Sequence, residues 1–323
     1  MKEKWEIDYI KKNLKGHQLY FFEEELDKFD ISKARDFDII SVFIYSNVTR
    51  EMIAKLNAKA IITRSTGFNH IDVKACNEKK IKVYNVPRYG SNTVAEYTFA
   101  LLLNLARKII PAQERAKKFN FDLEGLRGID LKGKTLGIVG LGEIGKCVVE
   151  IAKGFGMNML VFTRTKDAKS AKRLGFRYVD YNTLLRNSDV ITFHVPLTKE
   201  TTHMINQRNI GMIKKGAILI NTSRGEVVET EAIVKALDRG ILSAAGLDVL
   251  EAEEEIKDER GLFSRRHSRA SAQGHILLKH ENVIVTPHNA FNTREALQRI
   301  LDVTIEDIRN AIRNKKDNLV EVK

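Results

Sequence analysis

Short runs of β-forming residues alternate with segments of helical periodicity through almost the whole sequence. The first three runs, DIISVFI (38–44), AIITRST (60–66) and KVYNVP (82–87), are largely apolar on both faces. Strands of this kind are buried between helices in parallel sheets. The alternation therefore predicts an α/β fold with parallel sheets and helices on their faces.

The alternation of strands and helices is interrupted once, by a long helix and a polar stretch, and this interruption divides the sequence into two parts. A long apolar helix is predicted over about residues 93–109, where TVAE has the form of a capping box. The polar stretch FNFDLEGLRGIDLKGK (119–134) follows, and then six further strand candidates: TLGIVG, NMLVF, DVITFHVP, GAILINTS, SAAGLDV and NVIVTPH. A chain of 323 residues is long enough for two domains with separate cores.

The composition narrows the class of protein. Apolar residues make up 43% and charged residues 30% of the chain, which is ordinary for a globular protein. The charged N-terminal segment MKEKWEIDYIKKNLKG lacks the apolar region of a secretory signal peptide. No apolar run approaches the roughly 18 residues that cross a bilayer. Cys76 and Cys147 lack a CxxC partner and metal-ligand spacing, which fits a reducing compartment. We expect a cytoplasmic protein without a membrane segment or a metal site.

The formal net charge of +12 raises the question of nucleic-acid binding. Most basic residues are interspersed with acidic ones. The two denser patches, residues 164–177 and RRHSR at 265–269, have no interleaved aromatic residues and no nucleic-acid-binding motif. We therefore expect no nucleic-acid partner, and we find no physical explanation for the basic stretch RRHSRASAQGHI (265–276).

A glycine-rich turn lies between a strand and a helix of the second run. It has the spacing GxGxxG, with TLGIV before it and EIGKCVVEIAKGF after it. In a dinucleotide-binding unit the first glycine permits the tight turn, the second lets the backbone approach a pyrophosphate, and the third packs helix on strand. The alternative is a tight strand–helix turn that binds nothing. The predicted cofactor contacts are Gly140, Gly142, Glu143, Ile144 and Gly145.

Three further strands are followed by residues that can do chemistry. Arg224 follows AILI, His288 follows NVIV, and Asp248 and Glu253 follow the strand in GLDVLEAEEE. Ligands bind at the carboxyl edge of open parallel sheets. A guanidinium can hold a carboxylate through two parallel hydrogen bonds, and histidine can transfer a proton near neutral pH. The residue chemistry alone does not distinguish Glu253 from the neighbouring glutamates.

Four motifs in this order, VGLGEIG, NTSRGEVV, GLDVLEAE and VTPHNAF, resemble those of the D-isomer-specific 2-hydroxyacid dehydrogenases. RSTGFNHID and VYNVPRYGSNTVAE are similar to the substrate domain of that family, so the resemblance spans nearly the whole chain. The stretch between Glu253 and His288 and the ending HNAF are most similar to its D-lactate dehydrogenase branch. The resemblance implies two Rossmann-like or flavodoxin-like parallel-sheet domains with a cleft between them. The substrate domain would comprise residues 1–103 and 293–323, and the dinucleotide-binding domain residues 104–292.

The resemblance also implies an activity: reversible hydride transfer between NAD or NADP and C2 of a small 2-keto or 2-hydroxy acid. The first candidates for the substrate pair are pyruvate and D-lactate. Arg224 would hold the substrate carboxylate, His288 would donate the proton, and Glu253, five positions after Asp248 as in the family, would stabilise the imidazolium. The other implied site residues are Ser65, Thr66, Gly67 and Tyr89 for the substrate, and Val195, Pro196, Thr201, Thr222, Ser223 and Asp248 for the cofactor. A homodimer is implied as well.

One position departs from the family pattern. NAD-specific members have an aspartate at the end of the second strand of the cofactor domain, where it binds the ribose hydroxyls, and this chain has Thr163 followed by Arg164. A missing carboxylate removes the repulsion against a 2′-phosphate, with which Arg164 could pair. We therefore predict a preference for NADP. The alternative is that Arg164 points to solvent and that NADH is accepted with weak discrimination.

Three alternative functions stay open. Within the enzyme class they are a glyoxylate or hydroxypyruvate reductase and a dehydrogenase for longer branched 2-keto acids. The third is a nicotinamide-sensing corepressor of the same fold, since such proteins can retain the three candidate catalytic residues and fold alone does not settle function.

Overall fold

The computed structural model describes residues 3–253, 256 and 269–320 of the chain. The chain forms two compact units, Met1–Tyr89 with Asn292–Lys323, and Gly90–Phe291. Part of the basic stretch noted above, residues 265–268, lies outside the described residues. Each unit is organised around its own parallel β-sheet, as the alternation of strands and helices predicted.

The first unit contains a three-stranded parallel sheet in the order β1-β2-β3. Its strands are β1 (Ile39–Val42), β2 (Ala60–Thr63) and β3 (Lys82–Asn85). Its helices are α1 (Lys4–Asn13), α2 (Arg50–Lys55), α3 (Val73–Glu78) and the C-terminal α11 (Arg294–Ile312), with a 3₁₀ turn at Ile31–Ala34.

Side-chain caps fix where these helices begin. The hydroxyl of Thr49 accepts a hydrogen bond from an N–H at the start of α2. The carboxylate of Asp72 accepts one at the start of α3, and the hydroxyl of Thr293 accepts one at the start of α11. Such caps satisfy backbone donors that have no acceptor inside the helix. The helices can then pack their apolar residues on the sheet, where Tyr84 is fully buried.

The second unit contains a seven-stranded parallel sheet in the order β10-β9-β8-β7-β4-β5-β6. The strands are β4 (Thr135–Val139), β5 (Asn158–Phe162), β6 (Arg177–Tyr178), β7 (Val190–Phe193), β8 (Ala217–Asn221), β9 (Leu242–Leu247) and β10 (Val283–Val285). Strand order reverses between β4 and β7, and in open sheets ligands bind at the carboxyl ends of strands at such a point. The prediction of an α/β fold with two parallel-sheet domains is confirmed.

Helices cover both faces of this sheet. They are α4 (Ser91–Arg107), α5 (Ile109–Lys117), α6 (Glu143–Gly154), α7 (Ala168–Leu174), α8 (Tyr181–Asn187), α9 (Thr230–Asp238) and α10 (Arg269–Lys279), with 3₁₀ turns at Ile210–Met212 and Gly225–Val227. Two separate apolar cores lie between the helices and the sheet. Every helix within the described ranges is too short or too polar to span a membrane.

Helix α4 differs from its predicted position. It begins at Ser91, so the capping-box residues, including Thr93, lie inside the helix and Thr93 is buried. The helix packs against α6, β8 and β9. Because of this packing, the border between the units falls at residues 89/90, whereas the sequence placed the domain boundary after residue 103.

Candidate active site

The loop after β8 presents Arg224 at the carboxyl edge of the second sheet. Asn221 Oδ1 accepts hydrogen bonds from the N–H of Ser223 at 3.0 Å and from its hydroxyl at 2.8 Å, and Asn221 Nδ2 donates to the carbonyl of Arg224 at 2.8 Å. This side-chain turn redirects the chain as it leaves the strand. Arg224 is half-buried, and its Nη1 donates to the carbonyl of Ser223 at 2.6 Å. Thr222, in the same turn, is buried with its hydroxyl 3.0 Å from that of Thr98.

The loops after the neighbouring strands β9 and β10 are joined by Asp248. Its carboxylate accepts hydrogen bonds from the hydroxyl of Thr286 at 2.6 Å and from the N–H groups of Asn289 at 2.8 Å and Ala290 at 2.9 Å. Burial raises the pKa of Asp248, and these hydrogen bonds oppose that effect. The sequence predicted a cofactor contact for Asp248 and missed that it holds the loop of His288, whose N–H donates to the Asp248 carbonyl at 2.9 Å.

His288 and Glu253 meet across these loops. Glu253 Oε2 lies 3.5 Å from His288 Nδ1, and the two side chains are 23% and 24% exposed. The distance is that of an ion pair and is longer than an ordinary hydrogen bond. His288 has φ +53, a left-handed conformation that few residues other than glycine adopt. Of the two glutamates of this run that the structure describes, Glu251 and Glu253, it is Glu253 that lies against the histidine.

Gly225 brings the Arg224 loop into contact with the segment that precedes Glu253. A Cβ on Gly225 would lie 2.1 Å from the carbonyl carbon of Leu250 and 2.4 Å from the N of Glu251. No side chain fits in that space, so the two backbones touch directly. Since β8, β9 and β10 are neighbours in the sheet, all three candidate catalytic residues project from adjacent strand ends.

The glycine-rich turn has the geometry of a pyrophosphate cradle. Gly140 has φ +98, and a Cβ on it would lie 2.4 Å from the carbonyl oxygen of His194. A Cβ on Gly145 would lie 2.2 Å from the carbonyl oxygen of Gly140, whereas Gly142, the N-cap of α6, faces open space. The first N–H groups of a helix have no intrahelical acceptor and favour an anion. The turn therefore fits the phosphates of a dinucleotide.

The two residues between the last two glycines have different surroundings. The carboxylate of Glu143 pairs with Lys146 at 3.0 Å, on the first turns of α6. Ile144 packs against the apolar core beneath the sheet. Their backbone N–H groups, at the helix N-terminus, are positioned for the predicted cofactor contact.

His194, directly after β7, is a site residue that the sequence did not single out. Its Nε2 lies 3.0 Å from the hydroxyl of Thr192, and burial lowers its pKa to about 3. The imidazole is therefore neutral beside the glycine-rich turn. The only signal in the sequence was its position at a strand end. The predicted cofactor residues that follow form a tight turn, in which Thr201 Oγ1 donates to the carbonyl of Pro196 at 2.6 Å and Val195 packs on the core.

Thr163 and Arg164 directly follow β5, where the sequence placed them. Thr163 is half-buried and Arg164 is exposed. The nearest acid along the chain, Asp167, is engaged as the N-cap of α7 and accepts from the N–H of Lys169 at 3.0 Å. The hydroxyl of Thr198 and, to a smaller extent, the charge of Arg164 hold the pKa of Glu200 below its usual value.

In the first unit, the loop after β2 is fixed by its own side chains. Ser65 is buried and its hydroxyl donates to the carbonyl of Gly67 at 2.6 Å, while the hydroxyl of Thr66 donates to the carbonyl of Val86 at 2.8 Å. Among the hydrogen bonds of the described residues, none uses the N–H of Ser65, Thr66 or Gly67 as a donor. Tyr89 is half-buried, and its carbonyl accepts from Arg299 Nε at 2.6 Å. The loop therefore presents three backbone donors that can bind an anion.

Comparison with known proteins decides the family. The model of the family described as "D-isomer specific 2-hydroxyacid dehydrogenase, NAD binding domain" matches residues 99–290. This chain belongs to the D-isomer-specific 2-hydroxyacid dehydrogenases. It is 37% identical to a 2-hydroxyacid dehydrogenase homolog of Zymomonas mobilis over 308 residues, which cover 93% of this chain and 91% of that protein. It is 36% identical to the D-lactate dehydrogenase of Escherichia coli over 301 residues, or 91% and 89% of the two chains.

Solved structures of this family have the same fold. D-lactate dehydrogenase from Aquifex aeolicus, in complex with NAD and lactic acid, superposes with a TM-score of 0.89 at 36% identity, over 99% of this chain and 97% of that one. As a member of the family, the protein is an oxidoreductase with an NAD-binding domain. Among the residues that the structure describes, no group of three or more His, Cys, Asp or Glu side chains could hold a metal ion.

Proposed function

We propose that this dehydrogenase reduces a small 2-keto acid, with pyruvate as the first candidate, to the D-2-hydroxy acid. The observation that carries the proposal is the contact of 3.5 Å between Glu253 and His288, at the sheet edge that also presents Arg224. A carboxylate-paired imidazole is suited to proton transfer, and a guanidinium is suited to a carboxylate. The D-lactate dehydrogenase relatives, one of them solved with NAD and lactic acid, support the choice of substrate.

We propose the following roles for these residues in reduction. Arg224 binds the carboxylate of the keto acid and stabilises negative charge as it develops on the carbonyl oxygen. His288 donates a proton from Nε2 to that oxygen, because its Nδ1 faces Glu253. Glu253 stabilises the imidazolium before the transfer. A reduced nicotinamide cofactor, when bound, would supply the hydride that C2 receives, and with the proton from His288 the carbonyl would become the hydroxyl of the product.

We propose that the backbone donors of residues 65–67 in the first unit bind a carboxylate, and that Tyr89 contacts the substrate. The first unit is then the substrate domain. The second unit is the dinucleotide-binding domain, with the pyrophosphate on the cradle of Gly142 and the N-terminus of α6. In this assignment Val195, Pro196, Thr201, Thr222 and Ser223 line the cofactor, and Asp248 meets the nicotinamide amide.

The test is the initial rate of pyruvate reduction by the purified protein with NADH or NADPH. Oxidation of either cofactor that depends on pyruvate supports the proposal. Glyoxylate, hydroxypyruvate and branched 2-keto acids are assayed in parallel, because a glyoxylate reductase of Thermococcus litoralis is 37% identical over 286 residues, or 86% and 81% of the two chains. Inactivity with every acid would contradict the proposal and favour the corepressor alternative.

We propose that Arg164 binds a 2′-phosphate and that NADPH is the preferred cofactor. No acidic side chain occupies residues 163–166, and Arg164 is exposed at the end of β5. An acyclic imino acid reductase solved with NADPH and D-Arg, 28% identical with a TM-score of 0.81, supports NADPH binding on this fold. Lys166, Lys169, Lys172 and Arg173 add positive potential nearby.

The test of this preference is Arg164→Gln. A charge-assisted hydrogen bond contributes about 1.5–3 kcal/mol, so KM for NADPH should rise about 10- to 150-fold while KM for NADH stays unchanged. Arg186→Gln, at an exposed position of α8, is the matched control. Equal changes in both KM values, or faster turnover of the parent protein with NADH, would contradict the phosphate role.

We propose that the protein is a homodimer. After α5, Phe119, Phe121 and Leu123 are 89%, 76% and 79% exposed. Apolar side chains concentrated in this way mark an interaction surface, and a second copy of the chain would cover them. Phe119→Ser with Phe121→Ser should convert a dimer to a monomer in sedimentation analysis, and a monomeric parent protein would refute the idea. The free thiols Cys76 and Cys147 support a cytoplasmic location.

A further inference from the structure

Glu251, two residues before Glu253, joins three segments of the second unit. Its side chain is only 12% exposed. Its Oε1 accepts a hydrogen bond from His203 Nε2 at 2.6 Å, and its Oε2 accepts one from the N–H of Thr230 at 2.5 Å. Thr230 is the first residue of α9, so this carboxylate also satisfies a backbone donor at a helix N-terminus. A single side chain thus holds segments that are far apart in sequence.

His203 connects this carboxylate to the turn proposed to line the cofactor. Its N–H donates to the carbonyl of Glu226 at 2.8 Å, and its φ of +52 lies in the left-handed region. The turn before it is fixed by Thr201, whose hydroxyl accepts from the N–H of Thr198 at 2.8 Å and donates to the carbonyl of Pro196. A left-handed conformation in a residue other than glycine persists only where surrounding contacts maintain it. The hydrogen bond to Glu251 is one of those contacts.

The same segment also touches the Arg224 loop. The backbone of Leu250 and Glu251 occupies the space where a Cβ of Gly225 would lie. The segment is therefore fixed on one side by direct backbone contact and on the other side by the Glu251 carboxylate. Glu253 extends from this fixed segment toward His288.

We propose that Glu251 is a positioning residue of the dehydrogenase. It sets the distance between Glu253 and His288 and, through His203, the conformation of the turn at residues 196–203. The inference rests on the proposed function, because it assumes that Glu253 and His288 act in proton transfer. Displacement of a catalytic group by about 1 Å can lower turnover about 100-fold, so loss of the Glu251 contacts should act on kcat.

Steady-state kinetics with the proposed keto acid test this role. Glu251→Ala should lower kcat about 10- to 100-fold. His203→Ala should lower kcat by a smaller factor than Glu251→Ala does, and it should raise KM for the cofactor. The double variant should have the same kcat as Glu251→Ala alone, because the two residues act through one contact. Glu251→Gln should restore most of kcat: its amide oxygen can accept from Thr230 and its amide N–H can donate to the other neutral tautomer of His203.

Glu150→Ala, at an exposed position of α6, is the matched control and should leave both constants unchanged. If kcat and KM of Glu251→Ala and His203→Ala stay within about twofold of the parent values, the proposal is overturned. If Glu251→Ala fails to fold, His203→Ala still decides the question, because its side chain is 41% exposed.

Hydrogen exchange separates this inference from the proposed function. Backbone amides of residues 248–253 and 196–203 should exchange faster in His203→Ala than in the parent protein, whether or not a substrate is known. Unchanged exchange in both segments would overturn the positioning role. If the parent protein reduces no keto acid, the proposed function fails, and the exchange result alone then decides whether Glu251 fixes these segments.

Discussion

Asp307 on α11 should make the stability of the first unit depend on pH. Its side chain is fully buried, Oδ1 accepts a hydrogen bond from Asn318 Nδ2 at 2.9 Å, and Oδ2 has no partner among the described residues. Burial raises the pKa of Asp307 from 3.8 to about 7. A tenfold change in proton affinity corresponds to about 1.4 kcal/mol, so this rise amounts to about 4 kcal/mol.

The sign follows from the two states of the carboxyl group. Below its unfolded pKa of 3.8 the group is protonated in both the folded and the unfolded protein. In that range its ionisation does not lower the free energy of unfolding. As pH rises through the folded pKa of about 7, the unfolded state has already released the proton and the folded state must ionise a buried group. The free energy of unfolding should therefore fall between these pH values.

Asp307→Asn removes the ionisation and keeps an oxygen for Asn318. Its free energy of unfolding should exceed that of the parent protein by up to about 4 kcal/mol at pH 8, and the difference should vanish near pH 4. Urea denaturation at a series of pH values measures it, with fluorescence of Trp5 as the probe. Trp5 is the only tryptophan of the chain and packs in the cluster between α1 and α11.

Glu295→Gln, exposed in the first turn of α11, is the control and should show no such pH-dependent gain. If the parent protein and Asp307→Asn lose stability in parallel from pH 5 to pH 8, the reasoning about the buried carboxyl is wrong.

Two further variants test the packing that supports the site and the first unit. Gly225→Ala places a methyl group 2.1 Å from the Leu250 carbonyl carbon. It should therefore lower turnover, measured by steady-state kinetics, and reduce the free energy of unfolding, measured by denaturation, by about 1–3 kcal/mol. Normal values for both would contradict the close approach. Lys79→Met removes an ammonium group that donates to the carbonyls of Ile53, Ala54 and Leu56 at the end of α2. Denaturation should show that the free energy of unfolding falls by about 1–2 kcal/mol. An unchanged denaturation midpoint would refute this capping role.

Much of the fold could be predicted because the information is local. Alternating apolar runs and helical segments report backbone periodicity, and the strands that they predict coincide with the observed ones to within a few residues, as AILI does with β8. The glycine-rich turn was predictable for the same reason: a left-handed Gly140 and a cradle at Gly142 follow from spacing and from the strand and helix that flank them. The position of Arg224 and His288 at strand ends was local information as well.

The remaining features depend on contacts between residues far apart in sequence. The TVAE capping box suggested a helix start at Thr93, but tertiary packing extends α4 back to Ser91. The links from Asp248 to the loop of His288, and from Glu251 to His203, arise only when sheet order brings separate loops together. A run of glutamates carries no local signal that distinguishes a residue that fixes a loop from a residue that faces a catalytic histidine.

We propose that His288 donates the proton in keto-acid reduction. Turnover of pyruvate by His288→Ala at saturating cofactor tests it most directly, with His17→Ala, an exposed histidine of the first unit, as the control. Turnover should fall about 10²- to 10⁴-fold, while the dissociation constant of the cofactor should change little. Near-normal turnover in His288→Ala would rule out His288 as the proton donor, because the proton would then come from another group.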